Sequence, residues 1–101
     1  MKVHGDPTLK RPWFLRPRLD LIHYSPDPFE WGVTGLASSQ LALALLADHF
    51  DNLEDERAMA LHQEFLNTYV SKLPHKGWTV TSDDIDLALA TIYDKKSINE
   101  E

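Results

Sequence analysis

The sequence predicts an α+β domain: a small N-terminal antiparallel sheet packed on three helices, at about residues 38–50, 53–73 and 82–94. Three observations carry this. Leu61, Phe65, Tyr69 and Leu73 recur every four residues, the spacing of one helix face. Gln40 to Phe50 is apolar almost all round, as a central buried helix is. The first third, by contrast, is cut by Pro7, Pro12, Pro17, Pro26 and Pro28, which leaves room only for short extended pieces.

Met1 to Asp6 reads as a short edge strand ending at the Asp6-Pro7 turn. Trp13 to Arg16, between two prolines, is at most a four-residue strand or an extended arm. Arg18 to Tyr24 alternates in part, which predicts another strand. Ser25 to Pro28 is a loop. Phe29 and Trp31 then face one side of an extended segment, with Glu30 opposite. Gly32 and Gly35 mark backbone that bends or approaches something closely. Ser38 or Ser39 supplies the expected N-cap of the first helix.

Asp51-Asn52 breaks that helix. Glu54, Asp55 and Glu56 open the second at the positive end of its dipole, and Pro74 closes it. Trp78 to Val80 is a short strand that the sheet can add. Thr81 or Ser82 caps the third helix, with Asp83, Asp84 and Asp86 near its start and Lys95 and Lys96 at its end. Residues 97–101 are expected to fray, and the whole chain reads as one domain.

Composition narrows the chemistry. Of 101 residues, 43% are hydrophobic, enough to bury one core, and none is cysteine. Disulfides, thiol catalysis and thiolate metal sites are thereby excluded. No apolar run approaches the length of a membrane span, and Met1 to Pro7 has no apolar signal core, so a cytoplasmic location is expected. Charge is uneven. Residues 1–20 carry +3 and residues 21–101 carry −9, for a net −6. An acidic body repels phosphates and suits a basic protein surface, though such charge also simply keeps a small domain soluble.

His23-Tyr24-Ser25-Pro26, Phe29-Glu30-Trp31-Gly32 and Gln40 to Ala47 together resemble the core of a family of small uncharacterised bacterial, archaeal and phage proteins, a domain of unknown function. Its members show H-S-P-x-G-F-E-W-G-Y-G-G-S-G-P-x-x-L-A-L-A-L-L. Pro17 to Leu21, His62-Gln63-Glu64-Phe65, Leu73-Pro74, Gly77-Trp78 and Thr79 to Ile85 are similar to other parts of it, so the resemblance covers most of the chain. It brings no activity, cofactor or catalytic residue. The chain departs from it at Gly32 to Ser38, where two glycines and the proline are replaced.

Four candidate sites compete. Asp48, Asp51, Glu54, Asp55 and Glu56 crowd one inter-helix corner, and Asp83, Asp84 and Asp86 the start of a helix. They suit a basic partner, although compensation of helix dipoles explains most of them without one. Lys10, Arg11, Trp13, Arg16 and Arg18 interleave charge and rings as single-strand binders do, or else the rings are core and the charges meet the acidic body. The Glu30 to Gly35 loop before a helix is a candidate anion or enzyme site, but it lacks G-x-G-x-x-G and G-K-[ST]. The five histidines have no pair at helical ligand spacing, so no metal is assigned. His23 is expected to be a partly buried hydrogen-bonding residue near the turn.

No nucleophile comes with a placed base, so the chain is read as non-enzymatic and without cofactor. The expected function is a protein-binding module whose partner is a host protein or ribonucleoprotein complex. The resemblance to phage proteins makes its concrete form an accessory inhibitor of a nucleic-acid-guided defence complex, of the anti-CRISPR type. A nucleic-acid-binding adaptor using the arm is the alternative, with direct nucleic-acid contact disfavoured by charge.

Overall fold

The computed structural model describes residues 2–5, 18–24, 31–32, 35–74 and 76–99, with the side chains of 2–5 and 95–99 excepted. Among these the chain is mostly helical. A strand β1 (Lys2–Gly5) is followed by α1 (Leu36–His49), α2 (Asp55–Thr68), a single 3-10 turn (Val70–Lys72), β2 (Trp78–Thr81) and α3 (Ser82–Asn99). β1 and β2 pair antiparallel, with Val3 opposite Val80 and Gly5 opposite Trp78. The expected sheet on three helices is thus reduced to a two-stranded ribbon joining the start of the chain to the approach to α3.

α1 is the centre. Every residue from Ser38 to Ala47 is buried. Leucine and alanine alternate there, yet both are strong helix formers, so the chain winds rather than extends. In a helix that alternation sends leucines to all sides, which suits an element covered all round. Burying each leucine contributes about 1.5–3 kcal/mol. Phe65, Leu61 and Leu66 of α2 and Ile85, Leu89 and Ile92 of α3 complete the core. Trp31 packs edge-on against Trp78, ring centres 5.4 Å apart.

Several sequence expectations are corrected. Arg18 to Tyr24 is no strand but a turn, with Leu21 N donating to Arg18 O at 3.1 Å. Arg18 itself sits at φ 57, held there by its side-chain contacts. Neither Ser38 nor Ser39 caps α1. The helix starts earlier, Gly35 is its N-cap, and both serines are buried within it. α2 starts at Asp55, because Asp51 and Asn52 take left-handed φ values of 55 and 58. It ends at Thr68, where Tyr69 leaves helical geometry and Val70 O receives Gly32 N at 3.0 Å. α3 runs on to Asn99, beyond the predicted end near residue 94. Thr81 is its cap: Asp84 N donates to Thr81 Oγ1 at 3.3 Å, and Thr81 N donates to the Asp84 carboxylate at 2.9 Å.

A polar clasp fastens the 18–24 turn to the helices. Gln40 is fully buried in α1, and its amide does two jobs. Its Oε1 accepts from Tyr24 N at 2.8 Å and its Nε2 donates to Ile22 O at 3.0 Å. His62 Nδ1 donates to Met59 O at 2.6 Å, so Nε2 is the acceptor for the Tyr24 hydroxyl at 2.8 Å. Gln63 Nε2 donates to the same hydroxyl at 3.0 Å. Buried groups of this kind are costly when left unmet. Gln40→Ala is therefore expected to destabilise the protein by about 2–4 kcal/mol, from the unpaired Ile22 and Tyr24 backbone groups and the lost packing, measured by urea denaturation.

Candidate protein-binding face

The acidic corner is built by how α1 stops. Asn52 N donates to Ala47 O at 2.8 Å and Asp51 N to Asp48 O at 2.9 Å, closing the helix through two non-glycine left-handed residues. This reversal turns Leu53 outward, 84% exposed, just before Glu54, Asp55 and Glu56. An open depression of about 420 Å³ there is lined by Leu53, Glu54, Asp55, Glu56 and Arg57.

Arg18 locks the corner. Its Nε and Nη2 donate to the two oxygens of Asp20 at 3.1 and 3.0 Å. Nη1 and Nη2 donate to Asp55 at 3.0 and 2.9 Å, and Nη1 also reaches Asn52 Oδ1 at 2.7 Å. These five bonds match the five N–H donors of a guanidinium. The hydrogen bonds to Asp20 and then Asp55 raise the Arg18 pKa further above its ordinary value. Arg18, predicted as part of a nucleic-acid arm, thus joins the acidic cluster instead. Lys10, Arg11, Trp13 and Arg16 lie outside the described residues.

The start of α3 touches the end of α1 through one of its acids. His49 Nε2 donates to Asp86 Oδ1 at 2.9 Å. Asp51, Glu54, Glu56, Asp83 and Asp86 are exposed, while Asp48, Asp55 and Asp84 are half-buried. Asp84 is committed to the α3 cap and, after burial, is the second cause of the raised Tyr69 pKa. Glu54 approaches Arg57 at 3.4 Å. Arg57 stacks over Phe50 at 4.8 Å and donates to the Tyr93 hydroxyl, tying α2 to α3. Leu87 is a second outward leucine, 70% exposed, one residue beyond Asp86.

The remaining candidates fare differently. His23 is exposed, and its neighbour Tyr24 makes the hydrogen bonds expected of it, because the turn at 18–22 sends alternate side chains the other way. No group of three His, Asp or Glu residues is placed to hold a metal among the described residues. Glu30, Val33 and Thr34 of the candidate anion loop lie outside the described residues, and the Gly32 amide is committed to Val70. The exposure of Leu53 and the Tyr24–His62–Gln63 grouping had no signal in composition. Their only trace was that Tyr24 and His62-Gln63 fall in two of the motif pieces.

Fold and surface together define a small, mostly helical domain with an acidic face and exposed leucines. Residues 3–91 match the model of a family of unknown function (DUF6166), and the chain belongs to that family. No curated protein and no solved structure matches it. No helix among the described residues is long and apolar enough to cross a membrane.

Arg18→Ala is expected to cost about 1–2 kcal/mol in urea denaturation, the range for partly exposed, multiply bonded charge pairs. Arg18→Lys is expected to recover less than half of that, since an ammonium cannot bridge two carboxylates through a planar fork.

Proposed function

We propose that this chain is a small non-enzymatic protein-binding module that docks its acidic face on a basic partner surface. The observation that carries the reading is Leu53, 84% exposed and surrounded by carboxylates on a corner fastened by Arg18. An apolar side chain held out within a charged rim has the anatomy of an interface anchor. The charges steer a basic partner and the leucine is covered on arrival.

In its concrete form the partner is a host protein or ribonucleoprotein with a basic nucleic-acid groove, which this chain occupies as an accessory inhibitor of the anti-CRISPR type. The net charge of −6 and the contact of Asp86 with His49, next to Asp48, support this form. The nucleic-acid adaptor is the weaker reading, because all five donors of Arg18 are spent on Asp20, Asn52 and Asp55.

The test is competition between the protein and target DNA for purified nucleic-acid-guided effector complexes. The wild-type protein is expected to displace the DNA. Leu53→Ser and the pair Glu54→Lys with Glu56→Lys are each expected to weaken displacement about tenfold or more, a loss of about 1.4 kcal/mol. Equal potency of wild type and both variants would remove the face from consideration. A shift of free DNA by the wild-type protein at low salt would favour the adaptor instead.

A further inference from the structure

The structure supplies what the sequence does not show, a nucleophile with a placed base. Tyr24 and His62 are 38 residues apart, yet the Tyr24 hydroxyl donates to His62 Nε2 at 2.8 Å. His62 is buried, and its Nδ1 donates to Met59 O at 2.6 Å. That bond fixes the tautomer and the set of the ring, so Nε2 turns its lone pair to the hydroxyl. The two rings lie 5.5 Å apart and are tilted by 47°. A hydroxyl on a base that a third group orients is the arrangement of an activated nucleophile.

The tyrosine oxygen has a further neighbour. Gln63 Nε2 donates to it at 3.0 Å and lies 3.3 Å from His62 Nε2, so three side chains converge on one point. A donor aimed at this oxygen stabilises negative charge as it develops there. Access comes from the Gln63 side, where Gln63 is exposed, Tyr24 is half-buried and the hydrogen bond between them is exposed. Gln40 Oε1 holds the Tyr24 backbone at 2.8 Å, so the hydroxyl is presented from a fastened turn. Tyr93 makes the contrast. It is more exposed, but its hydroxyl is bonded to the Arg57 guanidinium, a donor that cannot serve as a base.

We infer that Tyr24 is a site of covalent acylation that takes the acyl group of an activated ester. Tyr24 Oη attacks the carbonyl carbon while its proton passes to His62 Nε2. The bond from that carbon to the leaving alcohol oxygen then breaks, and His62 returns the proton to the alcohol. The products are an ester on Tyr24 and the free alcohol, with His62 neutral again. An uncharged donor is the class that fits, because a chain of net charge −6 repels phosphoanhydrides. The acylated oxygen has no proton to donate, so the modification also cuts the bond from the 18–24 turn to His62 of α2.

The experiment incubates the folded protein with p-nitrophenyl acetate and locates the acetyl groups by peptide mass spectrometry. Acetylation of Tyr24 is expected about tenfold or more faster than that of Tyr93 in the same chain. Protein unfolded in urea is expected to lose that preference. His62→Gln keeps an acceptor for the hydroxyl and a donor for Met59 O but removes the base, and is expected to slow the reaction at Tyr24 about tenfold or more. Gln63→Ala, at an exposed position, removes the second donor and is expected to slow it about fivefold. Equal acetylation of Tyr24 and Tyr93 in the folded protein overturns the site. So does an unchanged rate in either variant while circular dichroism shows its helices retained.

Discussion

The burial of α1 from Ser38 to Ala47 is the constraint on which the rest depends. A helix covered on all sides gives up water everywhere, so each polar group on it must find a partner within the protein or be left at a cost. Gln40 finds two, and in doing so it holds the backbone of Ile22 and Tyr24 against the helix. Tyr24 then reaches His62 and Gln63 on α2. The chain before α1 is thus fastened by the same helix that forms the core. Among the described residues the Ser38 hydroxyl and the His49 Nδ1 are the buried polar side-chain atoms of this helix without a hydrogen-bond partner.

Arg18 extends the same logic to the surface. The turn at 18–22 ends in the Gln40 clasp and begins at the Arg18 fork, so one short segment links the core helix to the corner between α1 and α2. The corner contains two left-handed non-glycine residues, each a strained choice in the absence of support. Asn52 is one of them, and its side chain is bonded to Arg18. The outward position of Leu53 therefore follows from interactions that reach across 34 residues of sequence and not from local preference alone.

This division of labour separates scaffold from working surface. Tyr24, Gln40 and His62, all within the pieces that resemble the family core, are occupied with one another and with backbone. The groups left facing solvent are the carboxylates of the corner and of α3, with Leu53 and Leu87 among them.

Helix existence and the buried character of α1 were legible in the residues, since four-residue recurrence and an unbroken apolar run need no partner to be recognised. The acidic clusters and a cap at Thr81 or Ser82 were legible for the same reason: their physics acts within one helical turn. What the sequence could not show was which way a polar segment would be drawn. Arg18 to Tyr24 carries a strand-like alternation, but carboxylates at Asp20 and Asp55 and the amide of Gln40 bend it into a turn. Glycine at position 35 begins α1 in place of the serines, because the core needs the positions the serines hold. The sequence by itself determined which segments are helical and which charges cluster. Tertiary structure decided the turns, the exposed leucines and the contact of Asp86 with His49, because those rest on contacts between residues 34 to 38 apart that no local pattern encodes.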